Sequence, residues 1–441
     1  MTGPLLIELK RSNARILGLV VGAVGAISLA SIFEGSRQWN MFAYADAAIM
    51  CVLAPLALAG GAMLGRREQS TRAAELMHST GRPSWQRITP AAAALAAAVT
   101  GAHLLLAAVG IVLMLLYSSY IGARGLMSIL VDVPLLIGAA LLGIAAGRVW
   151  PSRLLPPLLA SAAFAIQMAA DSIPAIQGLS LIGPQPEADW ESVTDPVLLG
   201  RLGFAFGLVL GGYLLSAGTS WIFRAGGSAA VAGGAAVMLA VSPTGSAERY
   251  LVDADAQRLV CADGVPQVCV TAVHAYLLPS VVPQARAALA KLAKLPYAPT
   301  RAVEWRPDSI FTGDEADYLG NQPKTVQGTV SFRLDLDEES EDTDVEASIL
   351  NGAGTTANGC TLDDTAALWA AGAWLTGGDT LDITDRVFGW QLAQSDYQPV
   401  LVKLRQAPEA EQVRRVTALR DAANVCQTKD LTAILTGRRD S

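Results

Sequence analysis

Apolar stretches long enough to cross a bilayer recur along the first half of this chain and stop abruptly near Pro243. About 20 apolar residues span the hydrocarbon core as a helix. Such runs occur at Ile16–Ile32, Tyr44–Leu64, Ala91–Tyr117, Met127–Ala146, Leu154–Ala170, Val197–Phe223 and Gly226–Val241. Beyond them, residues 246–441 read as a water-soluble domain. The chain is therefore expected to be a polytopic α-helical membrane domain (1–245) followed by a soluble mixed α/β domain (246–441). Seven spans is the preferred count. Six or eight remain open, because the fifth run holds Pro156 and Pro157 and the seventh is short and rich in Gly and Ala.

Charge divides at the same place. The first 245 residues carry 14 Lys and Arg against 11 Asp and Glu, whereas the remainder carries 18 against 28. An acidic soluble part without basic clusters argues against nucleic acid as a partner.

Lys and Arg flanking apolar spans mark the cytoplasmic side. Lys10, Arg11 and Arg15 precede the first run, and Arg66, Arg67, Arg72, Arg82 and Arg87 follow the second. Arg148 and Arg153 follow the fourth, and Arg224 the sixth. The alternate loops hold Arg37, Arg124 and Arg201 against six carboxylates from Glu34 to Asp195. A cytoplasmic N-terminus and seven crossings place the soluble domain outside the plasma membrane. The first run lacks a small-x-small exit and reads as an anchor, not a cleaved signal.

The cysteines bear on the same question. Cys51 falls inside the second run, while Cys261, Cys269, Cys360 and Cys426 lie in the soluble part. An even number outside points to two disulfides. Three connectivities exist; the short spacing around Gly264 and Pro266 favours Cys261–Cys269 with Cys360–Cys426. Zinc is the weaker alternative, since there is no C-x-x-C and His274 is the domain's sole histidine.

Ionisable residues inside spans are functional candidates by default. His103, Asp132 and Arg201 are these, with a simple interhelical contact or interfacial charge as the competing reading for each. Asp132 is placed within reach of Arg124 or of outer-leaflet water. Gly207-x-x-x-Gly211-Gly212 favours close helix packing and is weak evidence of a dimer face.

Catalytic patterns are missing from the sequence. It has no H-E-x-x-H, no G-x-S-x-G and no G-x-x-x-x-G-K-[ST]; G-N-Q-P-K-T at Gly320 has the wrong spacing. His274 as a base for Ser280 or Ser309 is outweighed by a structural histidine. Eight carboxylates in Asp335–Glu346 lack the glycine turn of a calcium loop. The expectation is no enzyme, no cofactor and no metal.

In the soluble part, Pro279–Leu295 has an apolar stripe at helical spacing, and Val330, Phe332, Leu334 and Leu336 alternate as in a half-buried strand. Thr361 is expected to cap a helix to Thr376 with Asp363 and Asp364 in its first turn. Helices are also expected over Ala410–Cys426 and Leu431–Leu435.

A short amphipathic segment (Leu5–Lys10) before the first span and a polar helix–turn after the second resemble the elbow and coupling helices of ABC-type exporter permeases. The stretch Glu75-Leu76-Met77-His78-Ser79-Thr80-Gly81-Arg82-Pro83-Ser84-Trp85-Gln86-Arg87 is similar to the E-L-L-x-S-T-x-R-P-x-W-x-R loop of actinobacterial permeases of this kind. Val260-Cys261, Val268-Cys269-Val270 and His274 resemble the segment after their last span. The family usually has six spans and no large C-terminal domain. The resemblance implies a membrane subunit paired as a homodimer or with a related permease. A separate cytoplasmic ATPase would hold the ATP and dock on Glu75, Leu76, His78, Arg82, Trp85 and Arg87. The different-class alternative is a membrane-anchored sensory or scaffold protein whose outer domain binds a ligand or envelope partner.

Overall fold

Backbone N–H and C=O groups cannot be left unpaired in hydrocarbon, so apolar runs of this length fold as helices. The computed structural model describes residues 14–32, 38–67, 84–182, 186, 188–218, 220–244, 246–306, 328–334, 344–355, 364–379, 381, 394–425 and 430–438. Its contacts divide the chain into two units, Met1–Tyr117 with Ile121–Leu251, and Ser118–Tyr120 with Val252–Ser441. The boundary falls six residues later than the sequence reading placed it.

The first unit is helical. Its elements are α1 (Ala14–Ile32), α2 (Trp39–Ala48), α3 (Met50–Gly65), α4 (Ser84–Tyr117), α5 (Ala123–Val149), α6 (Leu155–Ser172), α7 (Asp195–Ala217) and α8 (Trp221–Val241). A four-residue α9 (Ser246–Arg249) follows, and a short β1 (Glu191–Val193) pairs with β2 (Tyr250–Val252). Six helices are long and apolar enough to cross a membrane, with α2 and α3 counted as one across the turn at Ile49. The remaining helix, α6, has 18 residues, a length of about 27 Å.

Boundaries shift from the sequence expectation in instructive ways. The chain turns between Ala217 and Trp221, not after Phe223, so Arg224 belongs to the first turn of α8. Gly218 and Ser220 break the helix although hydropathy runs on through Phe223. Upstream, α4 begins at Ser84, so Trp85 and Arg87 continue directly into the third span.

Glycines set the packing. Gly61 and Gly65 of α3 lie against Gly143 and Gly147 of α5: a Cβ at Gly61 would overlap the Ala140 carbonyl oxygen, and one at Gly143 that of Leu58. Small residues at i and i+4 let two backbones approach closely where lipid supplies no hydrophobic drive. The Gly207–Gly212 stretch does the same inside the chain. A Cβ at Gly207 would sit 2.7 Å from the Ala230 carbonyl, and one at Gly212 2.7 Å from Leu141 Cβ. That surface is spent on α8 and α5, which removes it as a dimer face.

The contacts also sort the helix ends. Gly18 of α1 packs on Ala98 and Gly25 on Leu53 and Leu106, so α1 runs antiparallel to α3 and parallel to α4. At one end Arg148 Nη1 donates to the Ser216 carbonyl (2.6 Å), among Arg66, Arg67, Arg153 and Arg224; this is the basic end. At the other, Trp39 Nε1 donates to Gly122 O (3.0 Å), Asn40 to Asp189 O (2.9 Å), and the Thr194 amide to Arg249 O (2.9 Å). The chain leaves α8 here, at the exit end. Helix α6 joins the two: it follows Arg153, and its Gln167 and Asp171 hold Leu181 and Ser180 at the exit end.

The second unit is mixed α/β, as composition predicts. Strands β3 (Leu259–Cys261), β4 (Gln267–Thr271), β5 (Arg301–Glu304) and β6 (Thr329–Phe332) form one sheet in that order, antiparallel between β3 and β4 and parallel thereafter. Parallel neighbours need a crossover, and α10 (Leu278–Leu292) supplies it between β4 and β5, burying Val281, Ala285, Leu289 and Leu292. Its start and end lie within a few residues of the predicted ones.

Cys261 and Cys269 are register partners across β3–β4 and form a disulfide, with Gly264 at φ +100° in the turn. That pairing is the one favoured from spacing. Cys360 and Cys426 lie outside the described residues, and Cys51 is a free thiol.

Helices α11 (Val345–Leu350), α12 (Thr365–Thr376), α13 (Gln394–Arg405), α14 (Glu409–Asn424) and α15 (Leu431–Thr436) complete the core with Val330 and Phe332. The cap of α12 is Asp364, not Thr361: Oδ1 accepts from Ala367 N, and the same carboxylate accepts from the Thr432 amide (2.6 Å). One side chain thus starts α12 and docks α15. Most of the acidic run Asp335–Glu346 is outside the described residues; its last members cap α11 through Asp344 and pair Glu346 with Lys291.

The glycine contacts yield a direct test. Gly143→Val should destabilise the full chain by about 1–3 kcal/mol or more, the cost of forcing bulk into a packed interface. Gly233→Ala, where a Cβ meets nothing within 4 Å, should be neutral or mildly stabilising. Thermal unfolding in detergent compares the two.

Candidate functional site

A charged side chain inside an apolar bundle must be paired, hydrated or neutralised. Four buried ionisable residues meet in the first unit: Asp46 of α2, His103 of α4, Asp132 of α5 and Arg201 of α7, exposed by 0, 0, 1 and 5%. Three of them are the residues singled out from sequence. The fourth, Asp46, was missed, although an acidic residue inside the Tyr44–Leu64 run carried the same signal.

The geometry is sparse. His103 Nε2 lies 3.8 Å from Asp46 Oδ2 and 3.5 Å from the Ile129 carbonyl oxygen. Arg201 donates through Nη2 to the Leu181 carbonyl. Asp132 interacts electrostatically with Arg201, Asp46 and His103. Neither carboxylate oxygen of Asp46 or Asp132 has a hydrogen-bond partner among the described residues, nor does His103 Nδ1. Asp132 does not reach Arg124, which pairs instead with Asp195 (2.5 Å) and the Val193 carbonyl.

A cavity of about 30 Å³ opens beside this cluster towards the exit end, lined in part by Asn40, Ala47, Ser128, Arg201, Arg249 and Tyr250. Ala47 follows Asp46 in the chain, and Ser128 precedes Asp132 by one helical turn. Such a volume holds about one or two waters. Burial holds the Arg249 guanidinium below its ordinary range, with Arg201 nearby adding to the effect, and burial also pushes the Tyr250 hydroxyl well up.

The second unit holds one buried pair. His274 Nδ1 contacts Glu304 Oε1, and Glu304 Oε2 accepts from the Thr271 amide (2.6 Å) and hydroxyl (2.9 Å). Both side chains are about 1% exposed. Ser280 donates to the Leu277 carbonyl instead of meeting His274, and Ser309 is outside the described residues. The pair joins the 3₁₀ turn Ala272–Leu277 to β5, a role in architecture. Ser119 and Tyr120 group with this unit through hydrogen bonds to the Ala272 carbonyl (2.7 Å) and the Asp253 carboxylate (2.5 Å).

Among the described residues, no three His, Cys, Asp or Glu side chains are arranged to hold a metal ion. Of the proposed ATPase-docking residues, Glu75, Leu76, His78 and Arg82 lie outside the described residues. The chain matches no known protein family, no curated protein and no solved structure.

Removing one member of a buried ion pair leaves the other uncompensated, at about 3–5 kcal/mol. Glu304→Ala should cost that much, whereas Glu304→Gln, which keeps an acceptor for Thr271, should cost less. Denaturant unfolding of the full chain, followed by solvent access to Cys261 and Cys269 after mild reduction, checks the order.

Proposed function

We propose that this chain is the membrane subunit of an ABC-type export system, with its N-terminus in the cytoplasm and its second unit outside the plasma membrane. The observation that carries the reading is the helix parity of the first unit. With α6 taken as a seventh pass beside the six candidate spans, an odd number of passes would separate the basic end from the exit of the chain, which supports this topology. Arg66, Arg67, Arg148, Arg153 and Arg224 at one end favour the cytoplasm for it by the positive-inside rule. The disulfide Cys261–Cys269 agrees with an oxidising compartment for the second unit.

Residues 66–83, between α3 and α4, are the long connection on the basic end. The others, 150–154 and 218–220, are too short to form a helix of their own. An ATPase docking from the cytoplasm would therefore meet the Glu75–Arg87 segment, and ATP would be bound by that partner. The sensory or scaffold alternative draws on the size of the cavity beside the charged cluster, whose volume of about 30 Å³ is that of one or two waters.

Two measurements test these assignments. Val265→Cys and Tyr297→Cys, at positions 90 and 94% exposed, should react with an impermeant maleimide on intact cells. Ser152→Cys should react only after permeabilisation; the reverse pattern overturns the topology. Leu76→Asp with charge reversal at Arg82 and Arg87 should abolish co-purification of an ATPase while leaving insertion intact. Retention of a full complement of ATPase favours the scaffold.

A further inference from the structure

We propose that Asp46, His103 and Asp132 form a proton-binding site inside the membrane unit, fed by water from the exit end past Arg201. Asp46, Asp132 and Glu191 are buried in this region against Arg201 and Arg249, so three carboxylates stand against two guanidiniums and the ionised region carries one uncompensated negative charge among apolar helices. Ions of this kind cost several kcal/mol to bury even after relaxation. Gaining one cation removes the imbalance.

The ligand must be small and must ask for few donors. No hydrogen-bond donor reaches the four carboxylate oxygens among the described residues, and no three-ligand metal set exists among them. A proton needs a single lone pair and no cavity of its own. The Asp46 carboxylate, 3.8 Å from His103 Nε2, and His103 Nδ1, which has no partner among the described residues, provide the lone pairs on which it can reside. Taken from a water in the cavity, it converts carboxylate to carboxylic acid or imidazole to imidazolium and leaves hydroxide to the solvent. Either placement brings the cluster to neutrality.

Its surroundings leave this balance in place. Arg124 is taken up by Asp195, and Arg15 of α1 belongs to the basic end, as does Arg224 of α8. His103 is the ionisable side chain in the middle of α4, whose Arg87 and Tyr117 lie at its two ends. The other titratable groups near the cluster are Tyr44 of α2, Cys51 of α3, Asp171 of α6, Glu191 of β1, and Arg249 with Tyr250 beyond α8. Of these, Tyr44, Glu191, Arg249 and Tyr250 line the cavity beside Arg201, and the Glu191 carboxylate offsets the Arg249 guanidinium there. Nothing here depends on an ATPase partner.

Infrared difference spectroscopy on the purified full-length chain tests the site. Spectra between acidic and alkaline pH, in H₂O and D₂O, should contain a carboxylic-acid C=O band that shifts on deuteration. Asp46→Asn and Asp132→Asn, nearly isosteric, should each remove the band or reduce it about twofold, and His103→Gln should move its midpoint. A wild-type spectrum without such a band at any pH overturns the proposal, whatever the variants do. So does a band that survives both Asn substitutions. Loss of the band on adding sodium at fixed pH would assign a metal cation instead and equally overturn it.

Discussion

Backbone-to-backbone contact between α3 and α5 is the constraint from which the rest of the membrane unit follows. Gly61 and Gly65 facing Gly143 and Gly147 leave no room for a Cβ on either side, so the two helices meet at the shortest distance a helix pair allows. In lipid this gain comes from dispersion and dipole contact, because apolar side chains have no water to escape. Once α3 and α5 are fixed, α7 is seated on α5 through Gly138 and Gly212, and α8 on α7 through Gly207, Gly211 and Gly234. The bundle is built outwards from one glycine seam.

The seam also explains where polarity can survive. Towards the basic end the α3–α5 contact is made by backbone and small side chains, and towards the exit end lie Trp39, Phe42 and the cavity. Asp46, His103, Asp132 and Arg201 occupy the transition between these zones. They are shielded from lipid by the helices that carry them, yet a helical turn from a space that admits water.

The second unit rests on a different physics, the burial of apolar area from water. Its sheet is short, and Val268, Val270, Ala302, Val330 and Phe332 present one continuous face to α10 and the later helices. The polar ties within it, Asp364 to Thr432 and Glu304 to Thr271 and His274, join segments far apart in sequence. Glu304, which is buried, and Asp364, which is half-buried, each accept several hydrogen bonds at once, so each fixes one arrangement of helix ends over its neighbours.

Hydropathy alone determined the division near residue 245, the run of membrane helices, the helix of the Pro279–Leu295 stripe and the strand at Val330–Phe332, because burial period is written locally. The Cys261–Cys269 pair was legible for the same reason, being eight residues apart. Helix ends were not: Gly218 and Ser220 stop α7 where hydropathy continues, and Asp364 displaces Thr361 as cap because Thr432 also needs its carboxylate. The charged cluster was half legible. His103, Asp132 and Arg201 stand out against apolar sequence, but only the fold shows that Asp46 joins them beside His103 and that Arg124 turns away to Asp195. Those facts depend on which faces of four separate helices meet, and the glycines that decide it act through distances no one-dimensional pattern records.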